Sequence, residues 1–194
     1  FLWRAAGSPE PKSMASFTDV TASAYYAKAV AWAVENGVTN GTTATTFDPD
    51  AVCTRAQTVT FLWRAAGSPL PRYRVCPFTY VKPSDYYYNA VLWASNMGIV
   101  NGATATTFDP NGNVTREQIA AILYRYEGSP TVTGSLSGYP DQAQVSSFAV
   151  TAMQWAVGTG IITGVTSGGR TTLSAKGNAT RAQVAVMLHR FLTF

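Results

Sequence analysis

Apolar residues in this chain collect into six short stretches at helical spacing, separated by polar segments rich in Gly, Thr, Ser and Pro. The clearest are Ile119, Ile122, Leu123 and Tyr126, matched further on by Val184, Met187, Leu188 and Phe191. Steps of three and four residues lay one apolar stripe along a helix, and such a stripe must face a core. A second type of stretch carries Tyr26, Ala29, Val30 and Ala33 on one face, with Tyr25, Ala29 and Trp32 on an adjacent stripe. This helix is predicted to stop at Asn36-Gly37, where Gly takes the left-handed cap and Val38 supplies the apolar contact beyond it. Met97-Gly98-Ile99 and Thr159-Gly160-Ile161 repeat the stop.

The two helix types alternate, so the chain reads as three copies of one unit. Trp32, Trp93 and Trp155 correspond, as do Arg55, Arg116 and Arg181. Each copy opens on an extended stub: Phe17-Thr18-Asp19-Val20, Phe78-Thr79-Tyr80-Val81 and Tyr139-Pro140-Asp141-Gln142. Between the helices runs a loop through Phe47-Asp48-Pro49, Phe108-Asp109-Pro110 or the divergent Leu173-Ser174-Ala175. The expected division is 10–69, 70–130 and 131–194. Residues 1–9 read FLWRAAGSP, identical to 61–69, and are expected to be the closing helix fragment of a preceding copy in a longer protein. One helix pair cannot bury its own apolar face, so neighbouring copies must complete the core.

The second helix of every copy opens on Thr-Arg-x-Gln, at Thr54 to Gln57, Thr115 to Gln118 and Thr180 to Gln183. Thr followed three residues later by Gln is a capping box, which gives both residues a structural task. Arg is different. A cation in the first turn meets the positive end of the helix dipole and costs roughly 0.3–1 kcal/mol. Two readings account for its recurrence. A helix N-terminus with an added guanidinium suits a carboxylate or phosphate on a ligand. The plainer reading is an ion pair with a loop acid such as Asp48, Asp50 or Asp109.

Composition narrows the function classes. The 194 residues are 46% hydrophobic, ample for a core, but only 12% are charged, about half the roughly 25% usual in soluble proteins. A surface of Thr, Ser, Asn, Gly and Tyr suits an extracellular protein working among polysaccharides. The net charge of +4 comes from scattered Lys and Arg, so nucleic acid is a poor partner. The uncharged stretch 142–169 is interrupted too often by Ser, Thr, Gln and Gly to span a membrane. Cys53 and Cys76 are compatible with one disulfide or with two reduced thiols, and with His189 they are too few for a structural zinc site. Asp109-x-Asn111-x-Asn113 resembles the start of a calcium loop, but Val114 stands where that loop needs Gly, so a turn is expected. No nucleophile motif, phosphate loop or repeated carboxylate pair is present; no enzyme, metal or cofactor is expected.

Taken together, the aromatic-x-Asp-Val stub, the Trp-bearing helix, the Gly-Ile/Val turn, the Phe-x-Pro loop and the Thr-Arg-x-Gln helix start resemble the S-layer homology module, across essentially the whole chain. The resemblance implies a mainly α fold of tandem helix-loop-helix repeats, arranged as a pseudo-threefold unit around a central helical bundle. It also implies a secreted, cell-surface protein held on the bacterial wall by binding secondary cell-wall polysaccharide, often pyruvylated, in grooves between modules. Carried over residue by residue, Arg55, Arg116 and Arg181 would meet the acidic substituent. Gln57, Gln118 and Gln183 stand where the family most often has Glu, which makes the grooves more positive. Asp19 and Asp141 match the family's stub acid and are candidates for glycan hydroxyls or turn acceptors; Tyr80 replaces that acid in the second copy. Trp32, Trp93 and Trp155 offer flat faces for a sugar, against the competing role of core packing. The alternative class is a surface module that binds a protein, a host receptor or another surface subunit.

Overall fold

The computed structural model describes residues 11–14 and 16–193; the helix fragment expected at 1–9 lies outside the described residues. Among the described residues six helices follow in order: α1 Ala27–Glu35, α2 Arg55–Ala65, α3 Tyr88–Asn96, α4 Arg116–Tyr126, α5 Val150–Gly158 and α6 Arg181–Thr193. The remaining regular elements are two 3₁₀ turns, Gln142–Gln144 and Ser147–Ala149, and a hairpin of β1 Val165–Ser167 and β2 Arg170–Thr172. The protein is therefore mainly helical, and the hairpin occupies the longer loop of the third copy.

The two helix types differ in how they begin. The helices α1, α3 and α5 are nine residues long and have no side-chain cap. Isolated helices of that length are marginal in water, so packing must hold them. By contrast, α2 and α4 open on complete capping boxes, and Thr180 and Gln183 exchange the same two bonds at the start of α6. The stop predicted for α1 is present: Gly37 has φ 67° and the Val38 N–H reaches back to the Ala33 carbonyl at 2.8 Å.

Close helix packing runs between copies. The pairs are α2 with α3, α4 with α5, and α6 back with α1, so the last helix closes on the first. The segments before the capped helices are tied in the same circular order. Cys53 N–H donates to the Ala179 carbonyl, Ala179 N–H to Val114, and Val114 N–H to Cys53, at 2.9, 2.9 and 3.0 Å. Bridges Val52↔Thr180, Thr54↔Asn113 and Thr115↔Asn178 flank this circuit. Rings join α4, α5 and α6: Tyr126 lies 5.8 Å from Phe191, which lies 6.1 Å from Trp155. One apolar cluster contains residues of all three copies.

At the junction of the second and third copies, the buried Glu117 carboxylate accepts from Ser146 N–H at 2.9 Å and Ser146 Oγ–H at 2.7 Å. Ala56 and Ala182 occupy the matching positions, so this clasp belongs to one junction.

Candidate functional site

The repeated Arg sits where one copy meets the next. Nε–H of Arg55 donates to the Phe108 carbonyl at 3.0 Å, that of Arg116 to Leu173 at 2.9 Å, and that of Arg181 to Phe47 at 2.9 Å. Each Arg thus holds the loop of the following copy, and the third holds the loop of the first. Arg55 and Arg181 also lie over rings of those loops, 4.9 Å from Phe108 and 4.8 Å from Phe47. Such contacts contribute about 0.5–2 kcal/mol, more as water is excluded. The expected ion pairs with Asp48, Asp50 or Asp109 do not form among the described residues: Asp109 and Asp48 act on Arg55 and Arg181 only through their field. Burial draws all three guanidinium pKa values below the ordinary value. Arginine titrates so far above neutrality that the groups stay cationic.

The free helix N-terminus expected from the sequence is not available to a ligand. In α2 the Arg55 N–H donates to Gly112 and the Ala56 N–H to Pro110, with equivalent bonds from Arg116, Glu117, Arg181 and Ala182. The capping box takes the other two donors at each start. All four orphan N–H groups are satisfied within the fold. Any anion site must therefore rest on side chains.

Two grooves provide such side chains. The first, about 250 Å³, has Arg55 on one side, Asn101, Gly102 and Phe108 of the next loop, and Gln118, Ile122 and Arg125 of α4, with Phe148 from the third copy at its edge. The second, about 290 Å³, repeats that plan with Arg116, the 161–166 loop, Gln183, Met187, Arg190 and Tyr25. Each lining contains two guanidiniums and no carboxylate. Arg190 also donates to Thr163 Oγ at 3.2 Å and to the Ile161 carbonyl at 3.4 Å, which anchors its head beside the loop. Like charges brought together without a counter-charge make a site for an anion.

Two kinds of groove residue escaped the sequence reading. Arg125 and Arg190 lie in the last turns of α4 and α6, where a cation suits the helix dipole, and each stands nine residues after the first Arg of its helix. Phe148 and Tyr25 line the first and second grooves, and Tyr25, Tyr86 and Phe148 each stand seven residues before the Trp of their copy. They are 69%, 60% and 55% exposed. An exposed aromatic face at a polar groove is the surface a sugar ring stacks on.

The tryptophans are a correction. Trp32, Trp93 and Trp155 are all buried, packed against His189, Tyr126 and Tyr124 respectively, so their faces are closed to a sugar. Helical spacing with a large apolar side chain favoured the core, and the core took them. The stub acids take the turn-acceptor role of the two expected for them. Asp19 accepts from the Phe47 and Asp48 N–H groups at 2.9 and 2.7 Å, and Asp141 from Leu173 and Ser174 at 2.9 Å each. They clasp the loop at a residue of positive φ, Asp48 at 60° and Ser174 at 48°. Burial pushes both carboxyl pKa values up, but the backbone donors outweigh it and leave them below the usual range. The glutamines close the capping boxes with their carbonyls, and Gln118 and Gln183 also line the grooves. Cys53 and Cys76 are both free thiols. Asn113 of the calcium-like stretch bridges to Thr54. No group of His, Cys, Asp and Glu able to hold a metal occurs among the described residues.

Comparison with known proteins finds one module three times along the chain. The S-layer homology domain model matches at residues 16–59, 77–120 and 138–185. The chain is 32% identical over 92% of its length to a surface-layer 125 kDa protein of Lysinibacillus sphaericus, covering 15% of that protein. It is 34% identical over 96% of its length to an endoglucanase of Bacillus sp. (strain KSM-635), covering 20% of it. A cell surface protein of Thermoanaerobacter kivui is 31% identical over 58% of this chain and 15% of its own length. The chain thus spans a fifth or less of each of these relatives.

Proposed function

The chain belongs to the S-layer homology domain family, and from that premise we propose that it anchors the protein carrying it to the bacterial cell wall by binding an acidic wall polysaccharide in the two inter-copy grooves. Its place is the cell surface, and it is a binding module with no catalytic role. The observation that supports this reading is the lining itself: two guanidiniums, a Gln, loop backbone and an exposed ring, with no carboxylate to neutralise them. A carboxylate-bearing sugar, such as a pyruvyl ketal, satisfies all of these at once. Its acid meets the guanidiniums and its ring face meets Phe148 or Tyr25. Arg forks favour such bidentate anions.

The test is co-sedimentation with wall sacculi that carry their secondary polymer and with sacculi stripped of it by acid. Binding to the first and not the second is expected, with competition by a pyruvylated methyl glycoside. Equal binding to both would overturn the proposal. A second reading, a protein partner, draws on exposed apolar side chains in the segment that opens the second copy, Leu70, Tyr73, Val75 and Tyr80. Saturable binding to a surface protein, indifferent to the polymer, would favour it.

A further inference from the structure

The circular plan calls for three grooves, yet the third is built differently. Arg181 corresponds to Arg55 and Arg116, and the groove before it would be lined by the first copy's loop, by α2 and by Tyr86. On α2 the residue matching Ile122 and Met187 is Phe61. Its ring is buried and lies 5.6 Å from the Arg181 guanidinium, while Phe47 lies 4.8 Å from it. Arg116 and Arg181 are equally buried, at 5% and 4% exposed, and what sets Arg181 apart is its Nη2, fully buried with no hydrogen-bond partner. The Tyr86 hydroxyl lies near Thr54, within the field of Arg64 and Arg181.

We infer that Phe61 fills the anion position of the third groove, so that this chain binds ligand at two positions and uses Arg181 for structure alone. An aromatic ring offers the guanidinium a face in place of a carboxylate, and it excludes the oxygen atoms an anion would bring. The Arg55 head, by contrast, finds carbonyl partners for both Nε and Nη2, the latter on Asn101 at 3.1 Å, beside an open groove. This inference rests on the acidic-groove reading for its ligand, but the closure itself is a statement about access to Arg181.

Two measurements on the full chain separate the two. Native mass spectrometry with a pyruvylated methyl glycoside counts sites, and butanedione labelling with peptide mapping reports access to each Arg without any sugar. For the unaltered chain, two bound equivalents are expected, with Arg181 labelled more slowly than Arg55. Phe61→Ile, which copies Ile122, is expected to give three equivalents and to raise Arg181 labelling to the Arg55 rate. Phe61→Met, which copies Met187, serves if the Ile variant fails to fold. Three equivalents before any substitution would overturn the closure and leave the groove reading standing, as would two equivalents in a folded Phe61→Ile or Phe61→Met chain. If no glycoside binds to any form, the groove reading falls, and labelling alone decides the closure: slow Arg181 released by Phe61→Ile upholds it, and equal rates throughout overturn it.

Discussion

Arg55 and Arg125 line the same groove, yet the structure gives them different duties, and replacing each in turn separates binding from folding. Arg55 donates to the Phe108 carbonyl at 3.0 Å in a part-buried setting and to the Asn101 carbonyl at 3.1 Å in an exposed one. Hydrogen bonds from a charged donor contribute roughly 1.5–3 kcal/mol when buried, and the exposed one far less. Against this stands the cost of partly burying the cation, which Arg55→Met removes. The net expectation is a loss of about 1–3 kcal/mol. At roughly 2–4 °C per kcal/mol for a chain of this size, the melting temperature falls by about 2–12 °C. Arg125 lines the groove near the end of α4 without holding a loop carbonyl. Arg125→Gln forfeits only the favourable dipole contact, roughly 0.3–1 kcal/mol. Calorimetry and polymer binding, measured on both variants, give the answer. Arg55→Met is expected to lose stability and binding together, and Arg125→Gln to lose binding at nearly unchanged stability. An Arg55→Met chain as stable as the parent would refute the loop clamp. An Arg125→Gln chain with undiminished affinity would refute the paired-guanidinium groove.

Three other expectations follow from the clasps. The folded pKa values of Asp19 and Asp141 lie below their unfolded values, so their stabilisation is full above the ordinary carboxylate range, about pH 4, and is lost as pH falls through the lowered folded values. Asp19→Asn with Asp141→Asn should therefore flatten the acid limb of a melting-temperature profile between about pH 5 and 2; an unchanged limb would count against the clasps. Tyr80, 75% exposed, stands where those acids do, and Tyr80→Asp is expected to give the Phe108 and Asp109 N–H groups a carboxylate and to raise stability by about 1 kcal/mol in urea unfolding. Glu117→Ala should cost about 1–3 kcal/mol by stranding the Ser146 N–H, with most of it retained in Glu117→Gln; equal melting of parent and alanine variant would refute it.

The sequence alone determined the local devices. Thr and Gln three residues apart can satisfy each other's backbone wherever the helix lies, so the starts at Thr54, Thr115 and Thr180 were legible, as was the Gly37 stop. Apolar spacing named the core stripes and placed the Trp residues in doubt between core and groove. Tertiary structure decided every question of which copy touches which. Arg181 pairs with the loop of the first copy, 134 residues away, and Arg116 with the divergent loop at Leu173. Comparing each Arg with the loop of its own copy therefore tests the wrong pair. Arg125 looked like a helix-end cation because its partner across the groove, Arg55, belongs to another copy. Helix N–H groups looked free because the carbonyls that take them come from across the ring. Local hydrogen-bonding and periodicity are properties of a few consecutive residues and can be read from them. A groove is a property of surfaces brought together by closure, and one substitution, Phe61 for Ile or Met, changes what it can hold.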